Sequence, residues 1–137
     1  MNLALYFLTD ILYILSFPNF TRHFIGGGIG FSYLAWFSLV PFIMAVDREK
    51  NVLSVGIRSF FCGWIIFLGG MYWLTEVTWL GYILLTLYMS MYIVIFGIIR
   101  FYNKNFFIVP LAWTCLEFIR GNLLGGMPWL ILGSSQY

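Results

Sequence analysis

The amino-acid sequence predicts an all-α membrane protein, a polytopic bundle of about five transmembrane helices plus the start of a sixth. Three observations carry that expectation. The chain has 137 residues, of which 62% are hydrophobic and only 9% charged, whereas soluble domains carry about 25% charged residues to cover their surface. The apolar residues are gathered into long runs, and a helix needs about 20 of them, with about 17 as a lower limit, to cross a bilayer core. Aromatic residues make up 22%, with 15 Phe, 9 Tyr and 6 Trp, and Tyr and Trp favour the membrane–water interface.

The runs can be taken in order. The first is about Leu3–Phe17, short and interrupted by Asp10; the start "MNLALYFLTDILYILSF" lacks the basic region and cleavage site of a signal peptide, so it reads as a retained span. The second is about Phe31–Val46, the third about Ser59–Leu74, the fourth about Trp79–Ile99 and the fifth about Phe106–Ile119. A sixth apolar piece, Met127–Leu132, has only begun when the sequence stops, and residues 1–137 read as one transmembrane domain. Stretches such as "YIVIFGII" would suit strands in water. In lipid every backbone N–H and C=O must be paired within the segment or in a closed barrel, and these runs lack the alternation of barrel strands. The joints are short, which makes sequential helices antiparallel neighbours.

Basic residues set the expected orientation. The second and fourth joints hold Arg48, Lys50, Arg58, Arg100 and Lys104, and the opposite side only Arg22 and Arg120. The positive-inside rule places the former in the cytoplasm, with the N-terminus inside and the segment after Arg120 outside. The net charge of +2 and the scatter of Lys and Arg exclude a nucleic-acid partner.

Polar groups within the runs are the candidate functional residues. Asp10 is expected to bond a neighbouring Ser, Thr or Tyr, or to lie in a span that sits shallow. Glu76 reads as a loop carboxylate and His23 as a lone loop residue. Glu117 and Arg120 lie three apart in "LEFIRG" and share a helix face, so they can pair. The pair could fix the helix end and the loop after it, or hold an anionic lipid headgroup. Cys62 and Cys115 sit among apolar residues outside any metal-binding or redox spacing and read as small buried thiols. Gly26/Gly30, Gly121/Gly125 and Gly69–Gly70 are candidates for close helix approach. "GGGIG" lacks the Lys-Ser/Thr of a phosphate loop, and the sequence displays neither a nucleophile–base arrangement nor a metal cluster; no cofactor is expected.

The closing stretch "PLAWTCLEFIRGNLLGGMPWLILGSSQ" resembles the membrane domain of bacterial apolipoprotein N-acyltransferases. That family carries Trp, Glu, Arg-Gly, Gly-Phe-Pro-Trp and Gly-x-Ser-Gln in order. The matching residues are Trp113, Glu117, Arg120-Gly121, Gly126-Met127-Pro128-Trp129 and Gly133-Ser134-Ser135-Gln136, with Met127 in place of Phe. "LSFPNF" (Leu15–Phe20), "LAWFSLVPFIMAV" (Leu34–Val46) and the Tyr-Trp-Leu pattern within Gly69–Arg100 extend the resemblance over nearly the whole chain; Thr21–Tyr33 fits less well.

The resemblance implies an inner-membrane, multi-pass protein with a cytoplasmic N-terminus. It implies a phospholipid acyl donor and, as acceptor, the α-amino group of the diacylglyceryl-cysteine of a lipoprotein. The reaction passes through a thioester on a Glu–Lys–Cys triad, carried by a periplasmic nitrilase-like domain. Trp73, Met127 and Trp129 would then line the lipid entry; an interfacial aromatic belt is the other account of the same three residues. No residue of this sequence is assigned to the triad: Lys104 falls on the cytoplasmic side and Cys115 within a span. The missing nitrilase-like domain is expected to reflect a fragment of a longer product, the preferred account, or a membrane half that works with a separate catalytic chain. A non-enzymatic membrane scaffold or small transport subunit stays open as the alternative function.

Overall fold

Among the described residues, five α-helices form where the apolar runs lie, joined by turns and 3-10 segments. The structure, a computed structural model, describes residues 2–17, 31–123 and 130–132, and no strand occurs among them. The helices are α1 (Asn2–Leu15), α2 (Ala35–Asp47), α3 (Val52–Gly70), α4 (Trp79–Tyr102) and α5 (Ile108–Asn122), with 3-10 turns at Ser32–Leu34 and Tyr72–Glu76.

Caps set the ends. Asn51 accepts a hydrogen bond from the Leu53 N–H at 3.0 Å, and α3 therefore begins at Val52, not at Ser59 as the run of apolar residues suggests. Arg58 is accommodated inside the helix because it pairs with Glu49 in the preceding joint. At its other end α3 stops at Gly70, and the chain tightens into the 3-10 turn that takes in Leu74. Thr78 caps α4, accepting from the Gly81 N–H at 3.4 Å. Pro41 sits inside α2, where it removes one backbone donor from the ladder.

The helices alternate in direction. α1 packs on α2 and α3, α3 on α4, and α4 on α2, so four helices close a ring in which α3 and α4 share the largest interface; α5 packs chiefly on α4. Phe42 stacks on Phe96 at 5.6 Å, and Tyr6 meets Phe42 edge-on at 5.6 Å. The α3–α4 approach is close because glycines face it. A Cβ on Gly63 would lie 2.8 Å from Ile93 Cγ1, and one on Gly97 would lie 2.5 Å from Ser59 Oγ. Of the glycines singled out in the sequence, Gly69 and Gly70 also pack tightly, against Ile14 and Leu130, while Gly121 has open space around it. Gly26, Gly30 and Gly125 lie outside the described residues, as does His23.

The core is largely apolar but also takes in hydroxyls, and much of the exterior is apolar too. Ser38, Ser59, Thr86 and Ser90 are fully buried, whereas Trp36, Phe61, Leu84 and Phe118 are exposed. Two helices, α3 and α4, are long and apolar enough to cross a membrane by length and composition. α1 and α2 are shorter apolar helices, with 14 and 13 residues, about 20 Å each against a core of about 30 Å.

Two expectations for polar residues are corrected. Asp10 finds its partner on another helix: the Cys62 thiol donates to Asp10 Oδ1 at 2.9 Å. Asp10 faces α3, which brings Cys62 within reach. Cys62 is buried, but Cys115 is exposed, because it lies on the side of α5 turned away from α4.

The end of the bundle that holds the N-terminus of α1 carries a charge network. Arg100 donates to both Asp47 oxygens, at 2.9 and 2.6 Å, and Lys104 donates to Asp47 Oδ1 at 3.0 Å. Glu49 accepts from Asn2 at 2.9 Å and also from Arg58. Partial burial pushes the Asp47 carboxyl up, but hydrogen bonds and charge from Arg100 and Lys104 outweigh it and hold the carboxyl below its ordinary value. A carboxylate depressed in the folded state contributes stability that is present above its unfolded value, about 3.9, and lost as pH falls through the folded value. The melting temperature is therefore expected to fall between pH 6 and pH 3, and Asp47→Asn is expected to flatten that dependence. An unchanged pH profile in the variant would show that other groups control it.

Candidate functional site

The opposite end of the bundle gathers the family-like residues. Here α1 and α3 finish, the Tyr72–Glu76 turn crosses to α4, and α5 ends in Glu117 and Arg120. Three residues further along the chain, Leu130–Leu132, are held against this end. The Tyr13 hydroxyl donates to the Leu130 carbonyl at 2.7 Å, and Arg120 Nη2 donates to the same oxygen at 3.1 Å. The Leu132 N–H donates to Glu117 Oε1 at 2.9 Å.

The arrangement follows from local sequence. Spacing of three places Glu117 and Arg120 on one helix face, 4.0 Å apart. Arg120 is only 2% exposed and lies over the Phe67 ring, 5.4 Å from its centroid. Leu130 has φ 57°, a left-handed conformation that a branched side chain rarely adopts. Its two carbonyl donors and the hollow left by Gly70 hold it there: a Cβ on Gly70 would lie 2.4 Å from Leu130 Cδ1. Trp113 completes the wall, edge-on to Phe96 at 5.0 Å and to Tyr13 at 6.3 Å.

Trp73 lies half-buried in the Tyr72–Glu76 turn at this same end. Met127 and Trp129 lie outside the described residues, but Leu130, the residue that follows Trp129, is anchored here. The structure brings Glu117, Arg120 and the Leu130–Leu132 segment together. Sequence reasoning missed Tyr13, the third member of that anchor. The available signal was a hydroxyl in the middle of an apolar run, which must find an acceptor when buried.

Tyr13→Phe removes one of the two donors on the Leu130 carbonyl and keeps the ring. The expected loss is about 1 kcal/mol of folding stability, read from thermal unfolding in detergent. A variant as stable as the parent would mean that Arg120 alone suffices at that oxygen.

Between α2 and α5 an apolar groove of about 620 Å³ runs from Phe106 and Pro110 to Ala35 and Leu132. No group of three or more metal-ligating side chains occurs among the described residues.

The sequence profile described as the apolipoprotein N-acyltransferase N-terminal domain matches residues 11–137. An apolipoprotein N-acyltransferase of Geobacter metallireducens is 28% identical over 148 residues, covering 95% of this chain and 26% of the relative. An apolipoprotein N-acyltransferase 1 of Treponema denticola is 28% identical, covering 100% of this chain and 25% of the relative. One from Pasteurella multocida is also 28% identical, over 78% of this chain and 22% of the relative. The chain thus spans about a quarter of the length of these curated relatives. No solved structure matches it.

Proposed function

Because the chain belongs to the apolipoprotein N-acyltransferase N-terminal domain family, we propose that residues 1–137 form the membrane domain of an enzyme that transfers an acyl chain from a phospholipid to the N-terminal diacylglyceryl-cysteine of lipoproteins. The observation that carries the reading is the profile match over residues 11–137, joined to a bundle that exposes many large apolar side chains and buries Ser38, Ser59, Thr86 and Ser90. In this reading all five helices cross the inner membrane, with the charge network of Asp47, Arg100 and Lys104 in the cytoplasm. The short helices α1 and α2 are accommodated by local thinning of the bilayer.

The family-like end then faces the outer leaflet, where both lipid-anchored substrates lie. Trp73, Met127 and Trp129 form the lipid entry, with ring systems suited to touch both the acyl chain and the glycerol region. Glu117 and Arg120 act as the anchor of the Leu130–Leu132 segment: Arg120 is too deeply buried to meet a headgroup directly, and it donates instead to Leu130. Chemistry belongs to a nitrilase-like Glu–Lys–Cys domain, in the same product or a partner chain, and no cofactor takes part.

Trp129→Ala in a complete enzyme tests the lipid-entry role. Acyl transfer from phospholipid to a diacylglyceryl peptide is expected to fall at least several-fold at parental expression; unchanged transfer removes Trp129 from the entry. The purified 137-residue chain is expected to transfer nothing, and turnover by it would contradict the division of labour.

A further inference from the structure

A cleft between α1 and α3 lies away from the family-like end. It has a volume of about 450 Å³, walled by Leu3, Ala4 and Phe7 on α1 and by Phe61 and Ile65 on α3, with Arg58 at one end. All five wall residues are exposed, so the cleft opens on the outside of the bundle. Asn2 meets Glu49, Asp10 meets Cys62 and Ile14 faces Gly69, so the two helices run in the same direction. The cleft therefore has a charged end, level with Asn2 and Glu49, and an apolar run toward Ile65, which lies about 10 Å of helix beyond Arg58.

Charge decides what fits. Arg58 donates to Glu49 through Nη1, and a guanidinium has five N–H donors to distribute. Glu49 is flanked in sequence by Arg48 and Lys50, both exposed, so the local balance is positive. Asp10 also touches the cleft, but it is buried, accepts from the Cys62 thiol, and lies about 12 Å of helix deeper than Asn2. A negatively charged phosphodiester complements the charged end, and a hydrocarbon chain complements the run below it. A zwitterionic headgroup gains less, because its ammonium meets the same cations.

The geometry points to this cleft as a binding site for one anionic phospholipid of the cytoplasmic leaflet. Its phosphodiester accepts from Arg58, with Arg48 and Lys50 supplying the surrounding positive charge, and one acyl chain lies between Phe7 and Phe61. The site rests on the membrane reading of the chain and not on acyl transfer. It is at the opposite end of the bundle from Glu117 and Arg120, so the lipid is held as a partner and is not the acyl donor of that reading.

The test is native mass spectrometry of the full 137-residue chain, released from detergent micelles that hold equal amounts of dioleoyl-phosphatidylglycerol and dioleoyl-phosphatidylethanolamine. One phosphatidylglycerol per chain is expected, preferred about fivefold or more, the weight of one basic residue near an anionic headgroup. Arg58→Gln keeps a hydrogen-bonding head toward Glu49 and is expected to abolish the preference. Ala4→Trp fills the cleft from an exposed position and leaves every charge in place. It is expected to lose the bound lipid too, and it serves if Arg58→Gln does not fold. Excess inorganic phosphate is expected not to displace the lipid. Equal retention of the two lipids, a preference that survives Ala4→Trp, displacement by phosphate, or a lipid-free dimer would each overturn the site and leave the membrane reading intact. A chain that stays monodisperse without detergent and holds neither lipid would overturn both.

Discussion

Arg120→Leu is expected to destabilise the fold by about 3–5 kcal/mol, the usual consequence of removing one member of a buried charged pair. Three losses combine. Glu117 loses its cationic neighbour in a low-dielectric setting. The Leu130 carbonyl retains only the Tyr13 hydroxyl, and Phe67 loses the guanidinium over its ring. Glu117→Leu on the same background should restore much of the stability, because an apolar pair leaves no uncompensated charge. A full double-mutant cycle, read by thermal unfolding of the detergent-solubilised protein, separates this coupling from packing effects. A loss below about 1 kcal/mol for Arg120→Leu would show that the anchor contributes little.

The second large effect is expected at the α3–α4 interface. On Gly63 a Cβ would meet Ile93 Cβ at 2.9 Å and Ser90 Cα at 3.2 Å. Ser90 Cα is backbone, so relief requires the two helices to separate. Gly63→Leu should therefore cost at or beyond the top of the about 1–3 kcal/mol range for overpacking, far more than the about 1 kcal/mol that leaving glycine adds to helix propensity. Gly56 is the control on the same helix, with nothing within 4 Å of a built Cβ. Gly56→Ala should be neutral or slightly stabilising. Equal unfolding temperatures for the two variants would remove the close-approach argument.

The helices themselves were readable along the chain. α1 and α4 lie within a few residues of the apolar runs, and α2 follows its run closely. Boundaries slipped where a cap outranked hydropathy. Asn51 starts α3 seven residues ahead of Ser59, the first residue of the apolar run, and Gly70 stops it before Leu74. The spacing of Glu117 and Arg120 was readable as a pair, but the Leu130 and Leu132 backbone groups that they hold were not.

In the membrane reading, composition and run length call for a helical bundle with an apolar exterior, because a backbone surrounded by hydrocarbon must satisfy itself locally. They do not dictate which faces meet. In water, hydrophobic periodicity separates core from surface; in an apolar surrounding both are greasy, and the period loses that meaning. The inner faces are marked instead by small and hydroxyl-bearing residues, as at Gly63, Gly97, Ser59 and Ser90. Only the assembled helices decide that Cys62 meets Asp10 across 52 positions, or that Tyr13 meets Leu130 across 117. Such pairings depend on helix rotation and depth, which no local stretch of residues specifies.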